Sequence, residues 1–244
     1  MISLLALLAA CGRKGPLVPP DAMIPAAVST LQVEQKEDRF YVTWSAPTSD
    51  AGGKPLKDLG GFRLMRREVL PPDEDCEACP TAYSVVQTVD LEYLKGVRVY
   101  NNIYIFTDAG LKDGTTYQYK LISFKKDGAE SASSNRVRRK KVATPPAPRL
   151  VAASSPTGVL LEWQPGQWSG ADRAGFNVYR RRGDDIATLV LITPQPVKGK
   201  RYEDQRLDAD TTYTYMVREV VSADGQFVEG AISNEATGAL SPPE

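Results

Sequence analysis

The chain has 244 residues, is 42% hydrophobic, and carries 30 Lys and Arg against 30 Asp and Glu, for a formal net charge of zero with no histidine. A neutral balance gives no global pull towards nucleic acid or an anionic membrane, so electrostatic recognition must be local. Without histidine the usual general base and zinc ligand of neutral pH is missing, which argues against an enzyme, and the length suits two modest cores rather than one large one.

Residues 2–10 form an apolar run, too short for the roughly 20 residues of a membrane-spanning helix. They end in Leu8-Ala9-Ala10-Cys11, which resembles the lipobox of bacterial lipoproteins. That resemblance implies cleavage before Cys11 and acylation of its thiol, with residues 1–10 as the signal segment. No basic n-region precedes the run, so the true start codon is expected upstream. Gly12, not Asp, follows the cysteine, and by the same resemblance this favours the outer membrane over the inner. Residues 11–24 form a Gly- and Pro-containing tether. Within it, Cys11-Gly12-Arg13-Lys14-Gly15-Pro16-Leu17-Val18-Pro19-Pro20 resembles the start of LptM-type lipoproteins, which accompany the lipopolysaccharide translocon. Docking onto an outer-membrane β-barrel is what that resemblance implies, and a plain semi-rigid spacer is the alternative.

The rest of the chain repeats itself. Trp44, Gly61-Phe62, Arg66-Arg67, Leu111, Tyr117-Gln118-Tyr119 and Ser134-Asn135 recur as Trp163, Gly175-Phe176, Arg180-Arg181, Leu207, Tyr213-Thr214-Tyr215 and Ser233-Asn234. Alternating runs at 31–34, 40–44, 62–67, 83–89, 104–106, 117–122 and 136–138 predict the strands of the first copy. Runs at 159–163, 176–179, 188–192, 201–204, 213–220 and after Asn234 predict those of the second. A tryptophan on the second strand and a Leu-x-x-x-Thr-x-Tyr-x-Tyr run resemble the fibronectin type III domain. The expected fold is therefore all-β, two tandem antiparallel β-sandwiches over 25–143 and 149–240, joined by the Pro-rich linker 144–148. Trp44, Trp163, Tyr117 and Tyr213 are expected in the cores rather than at a ligand platform, and the linker is expected to hold the domains end to end with little bending while burying little.

Two local features stand out. Asp73, Glu74, Asp75 and Glu77 surround Cys76 and Cys79. Acids disfavour a reactive thiolate, and a zinc site lacks further ligands, so a structural disulfide is expected, with metal binding and redox chemistry as weaker alternatives. The run Arg136-Val137-Arg138-Arg139-Lys140-Lys141 reads as the guard of an edge strand or as a patch for an anionic partner such as lipopolysaccharide, extendable by Arg180-Arg181-Arg182. Trp168 has no assigned core, and reads as a capping hydrophobe or a contact residue. Asp and Glu sit mostly in turn contexts such as Asp113-Gly114, and no phosphate loop, dinucleotide fingerprint or zinc motif appears, so no catalytic residue, cofactor, metal or nucleic acid is expected. The functional expectation is a membrane-anchored envelope lipoprotein, periplasmic, that binds a protein partner, with a glycan- or lipopolysaccharide-binding module and a disulfide-handling accessory as alternatives.

Overall fold

The computed structural model describes residues 19–170, 172–223 and 225–241. The signal segment, Cys11 and most of the tether lie outside the described residues.

Domain 1 contains β1 (Gln32–Lys36), β2 (Arg39–Ser45), β3 (Leu59–Glu68), β4 (Ser84–Asp90), β5 (Val97–Tyr100), β6 (Ile103–Asp108), β7 (Thr116–Lys125) and β8 (Val137–Lys140). They form two antiparallel sheets, β1-β2-β6-β5 and β4-β3-β7-β8. Alternate residues of each strand point inward, so Phe40, Val42 and Trp44 of β2 face Phe62 and Leu64 of β3 and Tyr119 and Leu121 of β7. The indole of Trp44 stacks on Tyr104 and meets Phe62 edge-on, with centroids 5.6 Å apart. Such rings fill the gap of about 10 Å between stacked sheets.

Domain 2 repeats the plan with β9 (Arg149–Ser154), β10 (Val159–Gln164), β11 (Arg173–Arg182), β12 (Val190–Leu191), β13 (Arg201–Asp204), β14 (Tyr213–Ala223), β15 (Gln226–Ile232) and β16 (Ala236–Gly238). One sheet is β13-β10-β9; in the other, β12 pairs with β11, and β11, β15 and β16 pair with β14. Trp163, Phe176, Val178 and Tyr215 fill its core. In both domains the first tyrosine of the pair makes a tyrosine corner. Lys112 N donates to Tyr117 Oη at 3.0 Å, and Asp208 N to Tyr213 Oη at 3.2 Å.

The repeated Ser-Asn pairs have a matching role. Asn135 accepts from Leu31 N and donates to Leu31 O, and Asn234 does the same with Leu150. Each amide thereby stands in for a strand partner and ties the start of the first strand to the far sheet, satisfying backbone groups that burial would otherwise penalise. Ser134 and Ser233 accept from Leu121 N and Val217 N.

Three strands, β5, β9 and β15, were not among those expected. The expected strand at 188–192 is a short 3-10 helix, Ile186–Thr188, followed by the two-residue β12. Asp185 causes the change, because its carboxylate accepts from Ala187 N and starts a helical turn.

The joint departs furthest from expectation. β1 and β15 pair in parallel at Lys36 and Glu229, and Glu37 N donates to Glu229 O at 2.8 Å, so the edge of one domain continues into a sheet of the other. Ala231 N donates to Pro145 O at 3.1 Å, and Gly230 is needed there because a Cβ would lie 2.4 Å from that oxygen. Gln35 brackets Val142 at the end of domain 1, accepting from its N–H at 3.0 Å and donating to its carbonyl at 2.7 Å. The linker is thus packed on both sides, and the expectation that it buries little is corrected.

Candidate functional site

β8 lies at the edge of its sheet, as expected for a charged guard strand. The period of two divides its cations. Arg136, Arg138 and Lys140 are exposed, whereas Lys141 faces inward at 3% exposure. Lys141 Nζ pairs with Asp113 at 2.7 Å. Its assignment to an open anionic-partner patch is therefore corrected, since a lysine buried against a carboxylate has its charge already met.

Cys76 and Cys79 are joined as a disulfide. The acids beside them reach over the same sheet. Arg67 on β3, 3% exposed at its side chain, donates to Asp75 Oδ2 at 2.9 Å and to Gln118 at 2.9 Å, and lies 3.6 Å from Glu77. Glu77 also meets Arg136 at 2.8 Å and Arg138 at 3.3 Å. The hydrogen bond from Arg67 holds the Asp75 carboxyl below its ordinary range. For Glu77, partial burial acts upward, but the hydrogen bond from Tyr83 and the charges of Arg136 and Arg67 prevail and lower it. The loop neutralises part of the basic strand.

Part of the basic strand faces domain 2. Arg138, Arg139 and Lys140 line a cleft of about 200 Å³ whose other wall is Ala223, Gln226 and Val228 of β14 and β15. A basic wall of this kind suits an anionic group, with Arg138 shared with Glu77. Arg180, Arg181 and Arg182, expected to extend the patch, are paired within domain 2: Arg180 meets Asp204 at 2.8 Å, Arg181 meets Glu235 at 2.9 Å, and Arg182 meets Asp208.

A second repeated constellation was not found from the sequence. Arg66 donates to both oxygens of Asp108 at 2.8 and 2.7 Å, and Tyr119 donates to Asp108 at 2.7 Å. In domain 2, Arg180 and Tyr215 donate to Asp204 at 2.8 and 3.1 Å. The signal was present, since Asp and Tyr are 11 residues apart in both copies. Burial first, and then the aspartate, push both phenols well above their ordinary range, so they stay protonated as donors. These groups cross-link the two sheets of each sandwich.

Trp168 is half-buried and packs on Gly170, where a Cβ would lie 2.1 Å from the ring. It borders a groove with Arg173 and Lys200. Glu219 is wholly buried beside Arg173 at 2.5 Å, in a geometry that gives its oxygens no hydrogen bond, and burial raises its carboxyl despite that cation. Among the described residues no group of three or more His, Cys, Asp or Glu could hold a metal ion. Among them too, no helix is long and apolar enough to cross a membrane.

Residues 1–20 match the family LPS-assembly lipoprotein LptM, conserved region. Exoglucanase B of Cellulomonas fimi is 27% identical over 215 residues, which are 84% of this chain and 16% of that protein, so the chain spans about a sixth of its length. The FN1–FN3 domains of chicken CNTN1 align over 90% of this chain and 69% of theirs at 16% identity, with a TM-score of 0.32. Residues 1–20 are thus similar to the LptM conserved region, and the described residues that follow form two antiparallel β-sandwiches.

Proposed function

We propose that this chain is a non-catalytic lipoprotein of the outer membrane, held through acylated Cys11 with its domains in the periplasm, that binds a protein of an envelope assembly. The observation that carries this reading is the match of residues 1–20 to the LptM conserved region, a stretch that contains Cys11 and the start of the tether. The lipopolysaccharide translocon is the assembly it points to. Support for a scaffolding role comes from the packed joint, because a stiff two-domain arm holds a partner at a set distance from its anchor. Burying several tens of methylenes of acyl chain is also far stronger than any attraction that a neutral domain surface offers.

The test is Cys11→Ser, fractionated from the cells in which the wild type sits in the membrane. Release of the variant to the soluble fraction is expected, and continued membrane retention sinks the lipoprotein reading. Crosslinking in native envelope followed by copurification then identifies the partner, with capture of translocon components as the expected result.

A glycan- or lipopolysaccharide-binding role is the second reading. It is favoured by the cationic cleft of Arg138, Arg139 and Lys140 and by the likeness to a stretch of an exoglucanase. Lipopolysaccharide binding that is lost in Lys140→Glu would favour it. The weaker reading of a disulfide-handling accessory finds little support in a cysteine pair flanked by Asp75 and Glu77.

A further inference from the structure

Pro19 lies eight positions after Cys11, a stretch that spans about 25 Å when extended at ~3.1 Å per residue. From there the chain packs onto one end of domain 1. Gly52 N donates to Ala22 O at 2.8 Å, Ala51 N to Ile24 O at 2.9 Å, and Pro25 bridges Asp50. Strand register decides what else lies at that end. Ser45 pairs with Ile103, Ile103 with Tyr100, and Gly61 with Asp90, so the connections after Ser45, Asp90 and Tyr100 all close the sandwich beside the tether.

This end is apolar. Tyr93 and Tyr100 are 73% and 70% exposed, and Met23, Leu94 and Ile103 are between 41% and 49% exposed. Asn101 and Asn102 both take positive φ, 48° and 62°, in a two-residue hairpin turn that sets Tyr100 and Ile103 side by side. Of the charges around it, Lys126 pairs with Glu92 and Lys125 with Asp58, while Lys95 and Arg98 are exposed beside the apolar side chains. Exposed apolar side chains with basic Lys95 and Arg98 beside them, two tyrosines at the rim and an acyl anchor within about 25 Å suit the bilayer interface, where a tyrosine ring is buried while its hydroxyl stays wet and a lysine or arginine reaches out to the headgroups.

We propose that this end of domain 1 inserts Tyr93, Leu94, Tyr100 and Ile103 into the headgroup–acyl boundary of the membrane that holds Cys11, standing the two-domain arm upright on the bilayer. The proposal rests on the reading of Cys11 as the anchor. Tethering raises the local concentration of the tip at the surface to the millimolar range, so a weak insertion suffices.

The test uses the mature chain from Cys11 onward, coupled through that thiol to a maleimide-headgroup lipid in brominated phosphatidylcholine vesicles. Tyr100→Trp is compared with Phe227→Trp, an exposed position on β15 near the joint. The introduced indole at 100 is expected to be quenched about two-fold or more beyond that at 227, as for a side chain reaching roughly 5–10 Å into the boundary. High salt should leave the difference unchanged. Because the tether is supplied chemically, equal quenching at the two positions overturns the insertion alone, whereas an error about acylation shows only in the fractionation of Cys11→Ser. An indole at 100 that becomes buried only when native envelope proteins are added also overturns the proposal and makes the tip a protein contact.

Discussion

At the scale of single residues, the core aromatics were legible because burial leaves a simple mark, an apolar side chain at every second position. Trp44 and Trp163 fill separate cores, and truncating either to Ala should cost about 3–5 kcal/mol in urea unfolding. Asp108 and Asp204 were not legible. An aspartate at the end of a strand reads as a turn residue, and only its partners, distant in sequence, reveal that it anchors an arginine and a tyrosine. Asp108→Ala leaves Arg66 and Tyr119 without their acceptor and should cost about 3–5 kcal/mol, whereas Tyr119→Phe removes one hydrogen bond to a charged group and should cost about 1.5–3 kcal/mol. Equal losses for the two variants would show that the aspartate does not organise the group.

At the scale of elements, the missed strands each lack one cue. β9 is rich in Ala and Ser, which favour strands weakly, and β15 contains Gly230, which reads as a break. β5 belongs to an insertion, so the repeat could not point to it. The disulfide was legible from its spacing and acidic surroundings, but its role was not. Closing so short a loop removes little chain entropy, so its effect comes through the contacts of Asp75 and Glu77 with Arg67, Arg136 and Arg138. The double variant Cys76→Ser, Cys79→Ser should lower stability by less than about 2 kcal/mol. It should also loosen the loop and increase binding of an anionic probe such as heparin to β8. Unchanged probe binding would show that the acids hold their places without the crosslink.

At the scale of the whole molecule, two repeats joined by a proline-rich segment read as two independent cores, because a contact between domains leaves no periodic trace in either. Six residues at the joint decide otherwise. Glu229 pairs with Lys36 at 3.0 Å and accepts from Asn177 at 2.6 Å and from Tyr179, and Arg218 meets Glu37 at 2.5 Å. Burial pushes the Glu229 carboxyl up, but the hydrogen bonds from Asn177, Tyr179 and Lys36 outweigh it and hold the carboxyl below its ordinary 4.5. A carboxyl lowered in the folded state contributes stability that is present above 4.5 and is lost as pH falls through the lowered value. Lys36 is partly exposed and screened, so the contribution is on the order of 2 kcal/mol rather than that of a fully buried pair. Calorimetry of the full chain should therefore show coupled melting of the two domains near neutral pH and separate transitions once the pH falls below the lowered Glu229 value. Acid also titrates Asp75 and Glu77 within domain 1, so Glu229→Gln is the control: it should separate the transitions already at neutral pH, leaving acid to lower the stability of domain 1 alone. Transitions that stay independent at neutral pH in the wild type would show that the strand pairing of β1 with β15 does not stiffen the arm.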